Sequence, residues 1–351
     1  MPRSPAIHAI VPALAVMFAP PCPSPIGPHA AAGPIPPDYG FQWATITHPG
    51  NAPYVQDRGP ELPPLLYGGV NSTFRISKTE VAAREWLEFA NAFVSQGDPF
   101  EIGQQVDSTT LQTVYGPGAV PVRFLLIPGQ ATERIAVSEV SWFNAARYCN
   151  WLHNNKERTV AALEYGAYDL RGFNDGIAED HAGPQPRLAG AKFFLPNKDE
   201  WVKAVHFDPN RNGSDQPGYW QYPYSSDTAP VVGAPGVGQT NTGLDFSAGQ
   251  LAFRVGAYPD AVTPWGLLDA SGGVSEWLEG RRPFDSKASW DGSSWSASFG
   301  PASTDRIELG GGQSISGSSF LGFRIASIVP APAAMVLCIL GFSLVVQERR
   351  R

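Results

Sequence analysis

Glycine and proline occur 37 and 34 times in this 351-residue chain, often enough to interrupt any long helix or wide sheet. Glycine weakens the interior of a helix or strand through its conformational freedom, and proline removes a backbone donor. Such a chain folds through short elements joined by many turns. A hydrophobic fraction of 43% still permits a sizeable core, and the length suits one large domain or two small ones. The formal charge is −7 and no basic stripe appears. That excludes a nucleic-acid partner, because phosphate binding needs clustered Lys and Arg.

Three stretches carry helix signals. SKTEVAAREWLEFANAF opens at Ser77 with Glu80 three residues on, the spacing of a capping box, and Ala82, Trp86, Phe89, Ala90 and Phe93 then recur every three or four residues. SWFNAARYCNWLHNN starts at Ser141 and sets Trp142, Ala145, Ala146, Cys149 and Leu152 on one side. LPNKDEWVKAVHF repeats the capping logic with Asn197 and Glu200. Short strands are expected in STFRI, RFLLIP and AKFFLP. From about Asp208 to Pro264 the chain is rich in Gly, Pro, Asn and Ser. GAPGVGQTNTG in that stretch follows no strand and opens no helix, so it reads as loop rather than a dinucleotide fingerprint. No solenoid repeat is present. The expectation is a single, loop-rich α+β domain with few short helices and strands.

Both ends read as addresses. Residues 1–32 hold Arg3, an apolar stretch from Ala6 to Ala19 and small residues at Ala30 to Ala32, the layout of a secretory signal cleaved before Gly33. Residues 328–351 hold an apolar run from Ile328 to Val346 followed by Arg349, Arg350 and Arg351. An apolar run of roughly 20 residues can cross a bilayer, with the arginines kept in the cytoplasm. This end resembles the PEP-CTERM sorting tail, although Val329-Pro330-Ala331-Pro332 has Ala331 where that motif has Glu. The resemblance implies an exosortase-type processing enzyme as a partner, contact with the membrane through the tail, and an exported body in the cell envelope or secreted. A permanent C-terminal anchor is the alternative. Without both ends the Lys and Arg count falls from 25 to 21 and the Asp and Glu count from 32 to 31, so the body carries −10.

The body, residues 33–327, presents motifs in a recognisable order. YGGVNSTFRISKTEVAAREWLEFANAF is followed by VSEVSWFNAARYCNWLHN, FFLPNKDEWVKAV, YPYSSDTAP, VGAYPDAVTPWGLLDASGGVSEWLEG and GFRIAS. The series resembles the formylglycine-generating enzyme, or sulfatase-modifying factor, family from about Trp43 to Ser327. The resemblance implies a C-type-lectin-like fold and oxidation of a substrate cysteine by two cysteines that bind copper(I). Here Gly310-Gly311-Gly312-Gln313-Ser314-Ile315 has Ile315 at the first cysteine position, and the second falls near Phe320. No Cys lies between Cys149 and Cys338, and thiolates are what a soft ion requires, so copper is not expected. Gly312, Gln313 and Ser314 remain as candidate binding residues on the floor of that loop. Phe323 is expected in the core and Arg324 as a buried hydrogen-bond hub.

The resemblance also implies structural calcium near Gly272-Gly273-Val274-Ser275-Glu276-Trp277, with Glu276 as carboxylate and Gly272 and Val274 as carbonyl donors. Asp245, in NTGLDF, is a second candidate ligand. Other chemistry finds less. None of the six histidines forms an H-E-x-x-H pair, and Asp199 and Glu200 fit a helix N-terminus better than an acid/base pair. Trp220, Tyr222, Tyr224, Trp290 and Trp295 lie in polar contexts where a glycan could stack. The functional expectation is therefore an exported domain with the family's fold but without its copper chemistry, recognising a glycan, peptide or envelope polymer or serving as a structural part. The alternative is an active oxidoreductase with a divergent site.

Overall fold

The computed structural model describes residues 34–103, 111–127, 132–172, 185–242, 244, 254–281, 288–291 and 321–330. Contacts divide the chain into a body, Ile35–Val329, and a second unit made of Met1–Pro34 and Pro330–Arg351. The expected leader and nearly all of the apolar tail lie outside the described residues.

The helices are α1 (Ala83–Phe93), α2 (Trp142–His153), α3 (Val160–Glu164) and α4 (Lys198–His206). No helix among the described residues is long and apolar enough to cross a membrane. The strands are β1 (Trp43–Ile46), β2 (Tyr54–Gln56), β3 (Leu65–Tyr67), β4 (Phe74–Ser77), β5 (Leu111–Tyr115), β6 (Pro121–Leu126) and β7 (Phe193–Phe194). They continue with β8 (Phe207–Asp208), β9 (Gly218–Tyr219), β10 (Ser275–Arg281), β11 (Ala288–Asp291), β12 (Leu321–Gly322) and β13 (Ala326–Ile328).

The central sheet runs β1-β4-β13-β7, antiparallel throughout, so the end of the body is inserted between two earlier strands. Ile76 sits opposite Ala44 on one side and Ala326 on the other. The pairing continues outside the regular strands: Ser77 donates to Ile325 O at 2.8 Å, Val81 to Phe323 O at 2.9 Å and Val140 to Leu321 O at 3.2 Å. A second sheet, β11-β10-β12, pairs β12 parallel to β10 and sets Glu276 beside Gly322. The short segment from Leu321 to Ile328 thus joins both sheets and holds Arg324 between them.

The starts of α2 and α4 follow their sequence signals. Ser141 Oγ accepts from Asn144 N, while Asn197 and Glu200 exchange bonds of 2.8 and 2.9 Å in a complete capping box. The expected start of α1 is corrected. Ser77 ends β4, and its hydroxyl donates to Thr79 O instead of capping a helix. The helix begins at Ala83, where the Glu85 carboxylate accepts from Ala82 N at 3.1 Å. Glu80, free of any capping duty, turns inward. The Gly-rich stretch near residue 235 is a loop, as its composition implies: only isolated bridges such as Val232 with Thr240 occur there.

The core is an aromatic cluster between α1, α2 and the C-terminal segment. Trp86 stacks on Tyr148 at 5.8 Å, and Phe323 meets both rings edge-on at 5.9 and 5.5 Å. Indole donors entering this interior mostly find backbone carbonyls: Trp86 reaches Ile102 O, Trp142 reaches Leu278 O and Trp277 reaches Val140 O. Because Phe323 is fully buried there, Phe323→Ala will lower unfolding free energy by about 3–5 kcal/mol, read as a fall in the urea midpoint.

Candidate functional site

Arg324 is fully buried, and backbone pairing on either side fixes where its side chain can go. Its Nε donates to Glu276 Oε2 at 2.6 Å and its Nη2 to Glu276 Oε1 at 2.5 Å, a two-pronged ion pair. The remaining donors reach Ser77 O, Lys78 O and Leu268 O at 3.1 to 3.2 Å. Glu276 Oε2 also accepts from Trp201 Nε1 of α4 at 2.8 Å. One guanidinium and one carboxylate therefore tie together the end of β4, the stretch before Ser271, α4, β10 and the β12–β13 segment.

Two further acids surround this pair. Glu80 is 2% exposed; its Oε1 accepts from Val274 N at 3.2 Å, while Oε2 meets no donor. Asp269 Oδ2 accepts from Gly256 N at 2.6 Å, and Asp269 stands within hydrogen-bonding reach of Glu80. Burial, with Asp269 and Glu276 nearby, raises Glu80 well above the usual carboxylate range. Burial also pushes Asp269 up to about 6, against the pull of the Gly256 amide and Arg324.

The turn at Gly272 and Gly273 exists to bring backbone donors to these groups. Both residues have positive φ, 83° and 62°. A Cβ on Gly273 would stand 2.1 Å from Glu80 Oε1, and one on Gly272 would stand 2.2 Å from Asn241 Oδ1. Gly273 N donates to Asn241 Oδ1 at 2.9 Å. Beside it, Thr240, Thr242 and Ser271 share a buried hydroxyl cluster with contacts of 2.7 to 3.2 Å.

This geometry bears on the two metals that the resemblance implies. For calcium, both oxygens of Glu276 are committed to Arg324 and Trp201, and the turn's Val274 N–H is committed to Glu80. Among the described residues no group of three or more His, Cys, Asp or Glu side chains could hold a metal ion. Glu276, Gly272 and Val274 are brought together in an ion-pair and turn assembly, and the Glu276 carboxylate, paired with Arg324, does not fit the role of a free calcium ligand. Asp245, Gly312, Gln313 and Ser314 lie outside the described residues. For copper, the single cysteine of the body is Cys149, fully buried in α2 with its thiol pushed up chiefly by burial and then by Glu279. A pair of thiolates cannot be assembled from it.

The remaining candidates take structural positions. Asp199 Oδ1 accepts from Gly68 N, and Glu200 pairs with Arg187 at 2.7 Å in addition to its capping role. His206 is held down to about 3, mainly by burial. Among the aromatics named for glycan stacking, Tyr222 is buried, Tyr224 bonds Ser271 O, and Trp220 lies under the Arg211 guanidinium with its indole donating to Asp208. The side chains of Trp290 and Trp295 lie outside the described residues.

A loop-rich α+β body closed by its own C-terminal strand around a buried Arg–Glu pair defines the class. Residues 49–328 match the family profile of the sulfatase-modifying factor enzyme 1-like domain, and the chain belongs to that family. Three solved structures illustrate the similarity. CarF is 19% identical, covering 83% of this chain and 99% of its own, with a TM-score of 0.45. Treponema denticola variable protein 1 is 16% identical over 82% and 95%, at 0.42. PvdO from Pseudomonas aeruginosa is 17% identical over 82% and 92%, at 0.40. No curated protein matches the chain.

The acid pair gives the fold a pH signature. Both carboxyls are raised in the folded state, so the native protein binds more protons than the unfolded chain. Their contribution is fully present below the unfolded carboxyl range and is lost as pH rises through the folded values of the two groups, about 6 for Asp269 and well above the usual carboxylate range for Glu80. Wild-type stability will carry a component that declines as pH rises from about 4 through about 6 and beyond, and Glu80→Gln, which stays neutral, will remove Glu80's share of that decline in urea titrations while leaving Asp269's.

Proposed function

We propose that this chain is an exported, cell-envelope-associated member of the sulfatase-modifying factor family that recognises a ligand without carrying out copper-dependent oxidation. The observation that carries the proposal is the state of Cys149. It is the only cysteine of the body, it is fully buried, and its thiol is held in the protonated form by burial. Copper(I) chemistry on a substrate cysteine needs accessible thiolate ligands, and Ile315 and Phe320 occupy the sequence positions where the resemblance calls for them.

The two ends support the location. An apolar leader and an apolar tail closed by three arginines bracket an acidic body, an arrangement that suits export and envelope attachment. Buried acids and the Arg324 pair supply rigidity in place of a metal centre, and a rigid, loop-rich surface is a good platform for recognition. The purified protein, supplied with copper(I) and a cysteine-containing sulfatase peptide, will leave the peptide thiol unchanged in mass spectrometry. Conversion of that thiol to an aldehyde would establish the alternative, an oxidoreductase with a divergent site.

A further inference from the structure

Resting on that recognition role, we propose that the cleft beside α3 is a binding site for a neutral saccharide. The cleft measures about 560 Å3, inside the roughly 300–1,000 Å3 typical of small-molecule sites. Its walls come from the C-terminal cap of α2, α3 and the turn after it. Asn154, Glu157, Thr159, Glu164, Tyr165 and Arg171 supply the chemistry.

Tyr165 provides the platform. It is 50% exposed, one of the few aromatic side chains of the described body that stays open to this degree. The ring is propped rather than loose. The Arg171 guanidinium lies 4.6 Å from its centroid and is itself fixed by two bonds to Asp169, at 2.8 and 2.7 Å. The Tyr165–Asp169 bridge closes the turn that holds both. An aromatic face held in place suits the apolar C–H face of a sugar ring, and little ordering is needed when the ligand arrives.

The polar groups around the ring are fixed as well. Asn154 Nδ2 donates to Ala162 O at 2.9 Å and Tyr165 O at 2.8 Å, which orients its amide. Thr159 Oγ1 accepts from Ala162 N at the start of α3 and donates to Glu157 Oε1 at 3.0 Å. Glu164 is held by buried Arg147 at 3.0 Å. Hydroxyl groups of a ligand can donate to the Glu157 carboxylate and accept from the N–H groups of Arg171 not used by Asp169.

Charge narrows the class. Arg171 is matched by Asp169 and Glu164 by Arg147, which leaves Glu157 as the lining charge without an ionic partner among the described residues. A phosphate, sulfate or uronate entering the cleft would face that carboxylate. A neutral sugar would not, and it would gain hydrogen bonds from it.

The test uses the full chain labelled at alanine methyls, because Ala161 and Ala162 also line the cleft. Maltose, cellobiose and chitobiose are titrated separately. At least one will shift the Ala161 and Ala162 methyl signals and saturate with a Kd in the ~1 mM range or tighter. Tyr165→Ala will weaken that binding about tenfold, Tyr165→Phe will retain it, and Glu157→Gln will weaken it less than Tyr165→Ala. Unchanged binding in Tyr165→Ala, with the variant's melting curve intact, would place the sugar elsewhere and overturn the cleft while leaving recognition standing. Absence of saturable shifts with all three disaccharides would also overturn the cleft. The broader recognition role fails separately, if the full chain also does not co-sediment with purified envelope polymer.

Discussion

The buried pair of Arg324 and Glu276 is the constraint on which the body's architecture depends. Removing two charges from water costs several kcal/mol each, and only good geometry with every remaining donor satisfied offsets that cost. Here the guanidinium spends its donors on two carboxylate oxygens and three backbone carbonyls, while the carboxylate takes one further bond from the Trp201 indole. Those partners come from four separate stretches of chain: the end of β4, the stretch before Ser271, α4 and β10. In a body with short strands and few helices, such a hub replaces the long-range cooperation that a wide sheet would give.

Around the hub, the glycine turn and the acid pair form one unit. Gly272 and Gly273 can adopt their conformation and approach Asn241 and Glu80 only because they lack side chains. The Val274 amide then satisfies one oxygen of Glu80. Among the described residues, both oxygens of Glu276 are already taken up by Arg324 and Trp201. The region that the resemblance associates with calcium is thus held by an ion pair and backbone donors.

The sequence made the fold class and the helices α2 and α4 legible, because caps at Ser141 and Asn197 are local signals read over three residues. Arg324 and Phe323 were legible for a different reason: a Gly-Phe-Arg stretch near the end of a family-like body has few other uses. Glu80 was misread as a cap because Ser77 and Glu80 have the right spacing, while the pairing of Ser77 with Trp43 and with the more distant Ile325 shows that β4 claims Ser77 first. That competitor lies roughly 250 residues away, beyond any local pattern. Asp269 and Tyr165 were missed for the same reason. The burial of one and the exposure of the other are set by segments distant in sequence, whereas Trp220 and Tyr222, which looked exposed in a polar loop, are covered by Arg211 and by packing.

Together these features describe a family body stabilised from within. The most direct measurement compares urea unfolding of wild type and Glu276→Gln, each with and without a calcium chelator. The account predicts that Glu276→Gln loses about 3–5 kcal/mol, because it strands the buried Arg324 charge, and that the chelator changes neither protein. A wild type that the chelator alone destabilises by a comparable amount would contradict it, by showing that Glu276 serves a cation rather than Arg324.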